Sequence, residues 1–377
     1  MIRPFSEPIY VTRPLLPSLD AVQARLAEVW RAQWLTNAGE QHEQLERALV
    51  ARLGVAQLSL FNNGTIALLA AVRALDLSGE VITTPFTFPA TPHALAWSGI
   101  TPVFADIDPR RLTLDPARVE ALVTPKTTAI LGVHVYGVPC DVDGLADVAR
   151  RHGLKLIYDG AHAFGVRVNG RGIGTFGDAT MFSFHATKLF HTAEGGAVAC
   201  GDAALRHRIE RLKNFGIADQ ETVECIGLNG KMNELQAVLG LAVLEHMDEE
   251  IAARRAILAR YRARLGGVPG LTLMPELPGV ESSNQYCAVR IAAGPFGRSR
   301  DEVHQALKDY NVFARKYFYP LCSDYACYRG LPSADPAGLP IARAAAAEVL
   351  CLPLYGTLPM NAVDTICDMV LSLGAGH

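Results

Sequence analysis

The feature that most restricts this chain is a rhythm. From about residue 55 to residue 200, short apolar runs of strand length alternate with stretches of helical period. The runs fall at 57–61, 81–84, 102–105, 129–135, 155–158, 179–184 and 197–200, each bounded by Gly, Pro, Asp or Asn. Helix-period stretches such as 66–75 and 142–151 lie between them. A strand that is apolar along its whole length is covered on both faces, and intervening helices supply the cover. The alternation therefore predicts an α/β fold, with a mostly parallel central sheet and helices on both faces.

Beyond residue 200 the pattern changes. An Ala- and Leu-rich stretch at 234–265 predicts one long helix leaving the sheet, and the break Gly266-Gly267-Val268-Pro269-Gly270 follows it. A strand near 286–291 and a helix near 301–309 predict a smaller C-terminal α+β domain, giving an expected division into 1–245 and 246–377. The length of 377 residues suits two such units. Net charge is −3, from 35 basic and 38 acidic residues with no basic block, which argues against a nucleic-acid binder. The eight cysteines form no CxxC pair and have no neighbouring His cluster, so they predict thiols in a reducing compartment and no metal site. No apolar run reaches the roughly 18 residues of a membrane span. The start, Met1-Ile2-Arg3-Pro4-Phe5-Ser6-Glu7-Pro8, carries no apolar export signal. The expectation is a cytoplasmic enzyme that binds neither membrane nor nucleic acid.

One motif misleads. Gly172-Ile173-Gly174-Thr175-Phe176-Gly177 fits the dinucleotide fingerprint, yet that fingerprint needs a helix after it, and the following segment reads as a strand. A loop is expected there. Three other segments carry chemistry. Asn62-Asn63-Gly64-Thr65 joins a strand to a helix, where free N–H groups suit a phosphate, although Asn and Thr are also ordinary caps. Asp159, in Tyr158-Asp159-Gly160-Ala161-His162, stands at the carboxyl end of a strand, where open α/β sheets place ligands; a loop-capping aspartate would look the same. Lys188, in Ser183-Phe184-His185-Ala186-Thr187-Lys188-Leu189-Phe190, sits past a buried strand among apolar neighbours. Desolvation makes an amine nucleophilic there, whereas a snorkelling lysine would keep its charge in water. In chain order, with the aromatic run Pro85-Phe86-Thr87-Phe88, these are the parts needed to hold pyridoxal 5′-phosphate (PLP): a phosphate cup, a flat lid, a carboxylate for the ring nitrogen and an amine for the aldehyde.

The sequence resembles the DegT/DnrJ/EryC1/StrS aminotransferases, PLP-dependent enzymes of nucleotide sugars with the aspartate-aminotransferase (type I) fold. The likeness runs through Gln33-Trp34-Leu35-Thr36-Asn37-Ala38-Gly39, Asn63-Gly64-Thr65-Ile66-Ala67-Leu68, Val81-Ile82-Thr83-Thr84-Pro85-Phe86-Thr87-Phe88 and Pro102-Val103-Phe104-Ala105-Asp106-Ile107-Asp108-Pro109. It continues through His134-Val135-Tyr136-Gly137, the Lys188 segment and Asn233-Glu234-Leu235-Gln236-Ala237. The resemblance implies that Lys188 holds the cofactor aldehyde and then moves the substrate proton, and that Asp159 keeps the ring nitrogen protonated. It implies Phe88 on one ring face, His162 near the ring hydroxyl, and Gly64, Thr65 and Ser183 on the phosphate. Asn229 matches an asparagine that reaches the phosphate from the other subunit of a homodimer. His185 and Tyr319 are expected near the sugar. Two positions depart from the family pattern: Gly160 replaces the usual Ala, and Leu228-Asn229-Gly230-Lys231 replaces a commoner Tyr-Asn-Tyr-Arg. The run Thr192-Ala193-Glu194-Gly195-Gly196 resembles the branch that aminates C4 of a 4-keto sugar. The implied substrates are L-glutamate and dTDP-4-keto-6-deoxy-D-glucose. Amination at C3, a UDP-linked sugar, or a non-catalytic binding dimer stand as alternatives.

Overall fold

The structure is a computed structural model that describes residues 2–374. Met1, at the head of the segment scanned for an export signal, and residues 375–377, at the end of the expected smaller domain, lie outside them.

The central sheet has seven strands: β1 (Gln57–Phe61), β2 (Glu80–Thr83), β3 (Thr101–Phe104), β4 (Thr127–Val133), β5 (Lys155–Asp159), β6 (Ala179–Ser183) and β7 (Gly196–Cys200). Their order is β1-β7-β6-β5-β4-β2-β3, and β7 alone runs against its neighbours. The expected strands are present, most displaced by one or two residues. The largest difference follows β4, where residues 135–137 form a tight turn with Tyr136 at φ 58° instead of continuing the strand.

Alternate residues along each strand enter different cores, as a sheet covered on both sides requires. Leu58 and Leu60, Ile130, Leu156 and Tyr158 join one core. Phe61, Ala129, Leu131 and Ile157 join the other. Four helices matter most for that cover: α1 (Glu40–Leu53), α2 (Gly64–Ala74), α3 (Ala90–Trp97) and α4 (Val142–His152). Leu45, Leu49, Val142 and Leu145 cover the first face, whereas Ala67, Leu68, Ala71 and Leu95 cover the second. Residues 172–177 pass through a short turn into β6 rather than into a helix, so the dinucleotide fingerprint is a connection.

The single helix expected over 234–265 is two, α5 (Glu234–Leu244) and α6 (Met247–Leu265). His246 leaves the helical region at φ −102°, ψ 4°, and its amide bonds Val243 O at 3.1 Å, one residue short of the α-helical partner. No Gly or Pro marks the place. The break lets buried α5 stay on the sheet while Ile257, Tyr261 and Leu265 of α6 enter a separate core with Val289, Leu350 and Val363. That core contains a three-stranded sheet of Leu271–Leu273, Cys287–Ile291 and Val349–Leu352, with helix α7 (Arg300–Asp309) against it. The chain's beginning joins this part: Ile9–Tyr10 pairs in parallel with Val312–Phe313. Among the described residues, no helix is long and apolar enough to cross a membrane.

Candidate active site

A cavity of about 900 Å³ opens at the carboxyl ends of the parallel strands, where an open sheet gathers loops. It is lined by eight of the residues singled out in the sequence: Gly64, Thr65, Phe88, Asp159, His162, Ser183, His185 and Lys188. Asn229 and Tyr319 do not line it. Asn229 accepts a bond from Lys231 Nζ at 2.9 Å, and Asn62 donates to its carbonyl at 3.3 Å. The Tyr319 ring instead lies beneath Arg300 and Lys316, at 5.1 and 5.2 Å, and the neighbouring Tyr317 and Phe318 line the cavity.

The floor is the start of α2. Asn63 caps it, its side chain accepting from Ile66 N at 2.9 Å, and the amides of Gly64 and Thr65 find no acceptor among the described residues. Those free donors, at the positive end of the helix dipole, make an anion seat. The seat depends on close backbone packing. A Cβ on Gly196 would stand 2.7 Å from Gly64 Cα, and one on Gly64 would stand 3.1 Å from Ser183 Cβ.

Asp159 ends β5 and is 4 % exposed. Burial pushes its carboxyl up, while Ala161 N (3.0 Å), the Thr91 hydroxyl (2.7 Å) and the charge on Lys188 hold it down. Thr91 in turn bonds Thr87 at 2.8 Å. A Cβ on Gly160, where the family pattern has Ala, would stand 2.9 Å from Met181 O.

Lys188 lies in the connection between β6 and β7. Burial lowers its amine to about 8, opposed by the negative charge of Asp159. The backbone on each side is held by one buried side chain from far along the sequence: Gln285 accepts from Leu189 N at 2.7 Å and donates to Thr187 O at 3.3 Å. Gln285 is itself fixed through its carbonyl by Arg254, which pairs with Glu250 inside the protein.

His162 stacks on Phe318 with ring centroids 5.8 Å apart and accepts from Tyr136 N at 3.2 Å. Burial, helped by Lys188, holds it well below its usual pKa, so it is a neutral ring. At the rim, His185 contacts Thr187 Oγ1 at 2.8 Å and Glu194 at 3.5 Å. Sequence reasoning missed Thr91, Tyr286, Arg315 and Tyr317 as lining or supporting groups, and Gln285 behind the lysine. Tyr286, Arg315, Tyr317 and Gln285 come from segments far along the chain, and Thr91 lies three residues beyond the aromatic run that ends at Phe88.

The donor set suits the cofactor that the resemblance implies. A free helix start suited to an anion faces the cavity, a buried carboxylate is held by two donors, and an amine of lowered pKa shares the same space. Such an arrangement can bind a carbonyl covalently and move a proton beside it.

The comparisons with known proteins point the same way. The chain is 45% identical over 366 residues to dTDP-4-amino-4,6-dideoxy-D-glucose transaminase of Escherichia coli, covering 96% of this chain and 98% of that one. It is 34% identical to GDP-perosamine synthase of Caulobacter vibrioides, over 93% and 95% of the two chains. Among solved structures, DesI in the presence of its TDP-sugar product superposes with a TM-score of 0.94 at 40% identity, over 98% of this chain and 94% of that one. Helicobacter pylori PseC, an aminotransferase involved in the biosynthesis of pseudoaminic acid, gives 0.91 at 28% identity, over 98% and 99%. Fold, cavity and likeness converge, and with residues 19–371 matching the family's sequence pattern the chain belongs to the DegT/DnrJ/EryC1/StrS aminotransferases.

Proposed function

We propose that this aminotransferase uses PLP to move the amino group of L-glutamate to C4 of a nucleotide-linked 4-keto-6-deoxy sugar. The product would be dTDP-4-amino-4,6-dideoxy-D-glucose. The substrate follows from the named activity of the Escherichia coli relative and its 45% identity. The observation that carries the reading is the amine of Lys188, lowered to about 8 and opposed across one cavity by buried Asp159.

When bound, PLP supplies an aldehyde that condenses with amines and a ring that takes up the electrons of a breaking C–H bond. Lys188 would hold that aldehyde and, once displaced by the donor's amine, accept the proton from the donor's α-carbon and return it at the carbon that had been the aldehyde's, across the nitrogen. Asp159 would keep a proton on the ring nitrogen, with the Thr91 hydroxyl and Ala161 N orienting its carboxylate. Gly64, Thr65 and Ser183 would hold the phosphate, Phe88 would cover a ring face, and His162 would face the ring hydroxyl as a neutral group. His185 lines the cavity and would meet the sugar.

Asn229 lies off its own chain's cavity, which supports a homodimer in which it serves the partner's site. Exposed Trp30, Trp34 and Leu35 supply apolar surface for such a contact. A division of the chain near residue 245 is supported by the break between α5 and α6.

Lys188→Ala is expected to abolish glutamate-dependent amination and to leave PLP bound without a covalent link. Borohydride reduction and mass spectrometry of the wild type should place the adduct on Lys188. An adduct elsewhere, or near-normal turnover in the variant, would overturn the reading.

A further inference from the structure

Lys188 stands in an irregular connection, outside any helix or strand, so no ladder of backbone bonds fixes the direction in which its side chain leaves the chain. The turn before it is closed locally, by Lys188 N on His185 O at 2.8 Å. The side chains after it, Leu189 and Phe190, are buried in the core on one face of the sheet. Burial of that kind holds a residue in place but is not directional, and it leaves the two peptide planes beside the lysine free to turn. Hydrogen bonds are directional, and here they come from one side chain. Among the described residues, Gln285 alone bonds Leu189 N, at 2.7 Å, and Thr187 O, at 3.3 Å.

Three properties suit Gln285 to that task. It is 1% exposed, so water does not compete for its amide. An amide carries a donor and an acceptor on one carbon, which matches a C=O and an N–H on either side of a single residue. It is uncharged, so it fixes the lysine's neighbours without adding to the field of Asp159, the carboxylate that acts on the amine. Its own backbone is fixed in turn. Gln285 O accepts from Arg254 Nη1 at 3.3 Å, Arg254 Nε bonds Glu250 Oε1 at 2.5 Å, and that same oxygen takes Gly356 N at 2.9 Å.

We propose that Gln285 is a positioning residue for amino transfer: by holding Thr187 O and Leu189 N it aims the Lys188 amine at the cofactor aldehyde. The assignment rests on the PLP reading and concerns the one bond the lysine makes to the cofactor, in which amine and aldehyde join as C=N and water leaves. The anion seat at the start of α2 is a separate segment, so loss of the clamp should spare phosphate binding.

The test compares PLP with pyridoxamine phosphate, which has the same ring and phosphate but an amine in place of the aldehyde and cannot join Lys188. Gln285→Met keeps the volume and loses both bonds. In the full-length protein stripped of cofactor, this variant's PLP affinity should fall about tenfold or more, the scale of one or two hydrogen bonds. Its affinity for pyridoxamine phosphate should stay within about twofold, less than one such bond. In the loaded enzyme kcat should fall, and KM for glutamate should move less. Without cofactor, the pH midpoint for reductive methylation of Lys188 should rise. Desolvation is the larger influence on that amine and Asp159 the smaller, so an amine released from Asp159, His162 and the cavity wall gains more from water than it loses. Should Gln285→Met fail to fold, Gln285→Glu, which keeps the bond to Leu189 N and loses the one to Thr187 O, carries the same comparison of the two ligands. Equal loss of both ligands would mean general damage to the cavity, and no loss of either would mean a lysine held by its core neighbours alone; each overturns the assignment. If the wild type forms no adduct at Lys188, the proposed function falls. The clamp is then judged by the methylation midpoint, which an idle Gln285 would leave unchanged.

Discussion

A single amine shows how local sequence and distant structure divide the work. Lys188 was legible because it follows a buried strand and falls in order after Gly64, Thr65 and Asp159, each at the end of an apolar run. What tunes it was not. Gln285 holds the backbone on both sides of the lysine from 96 and 98 residues away, and Thr91 reaches Asp159 across 68. Neither spacing leaves a periodic mark. The lowered pKa of about 8 makes a measurable difference. Roughly a tenth of the amine is unprotonated at pH 7 and half at pH 8, against about 0.04% and 0.4% for an ordinary lysine. Reductive methylation of the PLP-free protein with formaldehyde, resolved by residue, should therefore rise about fivefold at Lys188 between pH 7 and 8 and level off above that. Asp159 raises the lysine's pKa, so Asp159→Asn should move the midpoint to lower pH. A midpoint that stays or rises would show that the two charges do not interact.

The strands were readable at the level of elements, because each is a short, largely apolar run with a turn former close by. The break between α5 and α6 was not, because Glu245 and His246 are acceptable helix residues and the periodicity continues through them; the separate core that draws α6 away decides it. The anion seat shows the same dependence on neighbours. Its donors belong to α2, but their position is set by β7, whose first residue presses on Gly64 with no side chain between. Gly196→Ala should thus force backbone against backbone. The expected cost is about 1–3 kcal/mol, the usual range for overpacking a filled interior, read from urea unfolding. PLP affinity should fall with it as the start of α2 is displaced. A variant of wild-type stability and affinity would show that the contact yields freely.

The fold class was legible in the whole molecule, whereas the role of the chain's first residues was not, since Ile9 and Tyr10 form too short a run to register as a strand. The proposed dimer belongs to this scale. If Asn229 serves the partner's site, subunits carrying Lys188→Ala and subunits carrying Asn229→Ala should complement each other when mixed. One site of each hybrid would then keep both groups and regain turnover. Mixtures no more active than the separate variants would confine Asn229 to its own chain. The pairing of Ile9–Tyr10 with Val312–Phe313 has a consequence for biogenesis. A ribosome delivers the first of these segments some three hundred positions before the second, so Tyr10 must wait unpartnered through most of translation. That pairing is accordingly among the last contacts to take shape, and a product stalled or shortened before residue 312 would emerge with Ile9 and Tyr10 unpaired.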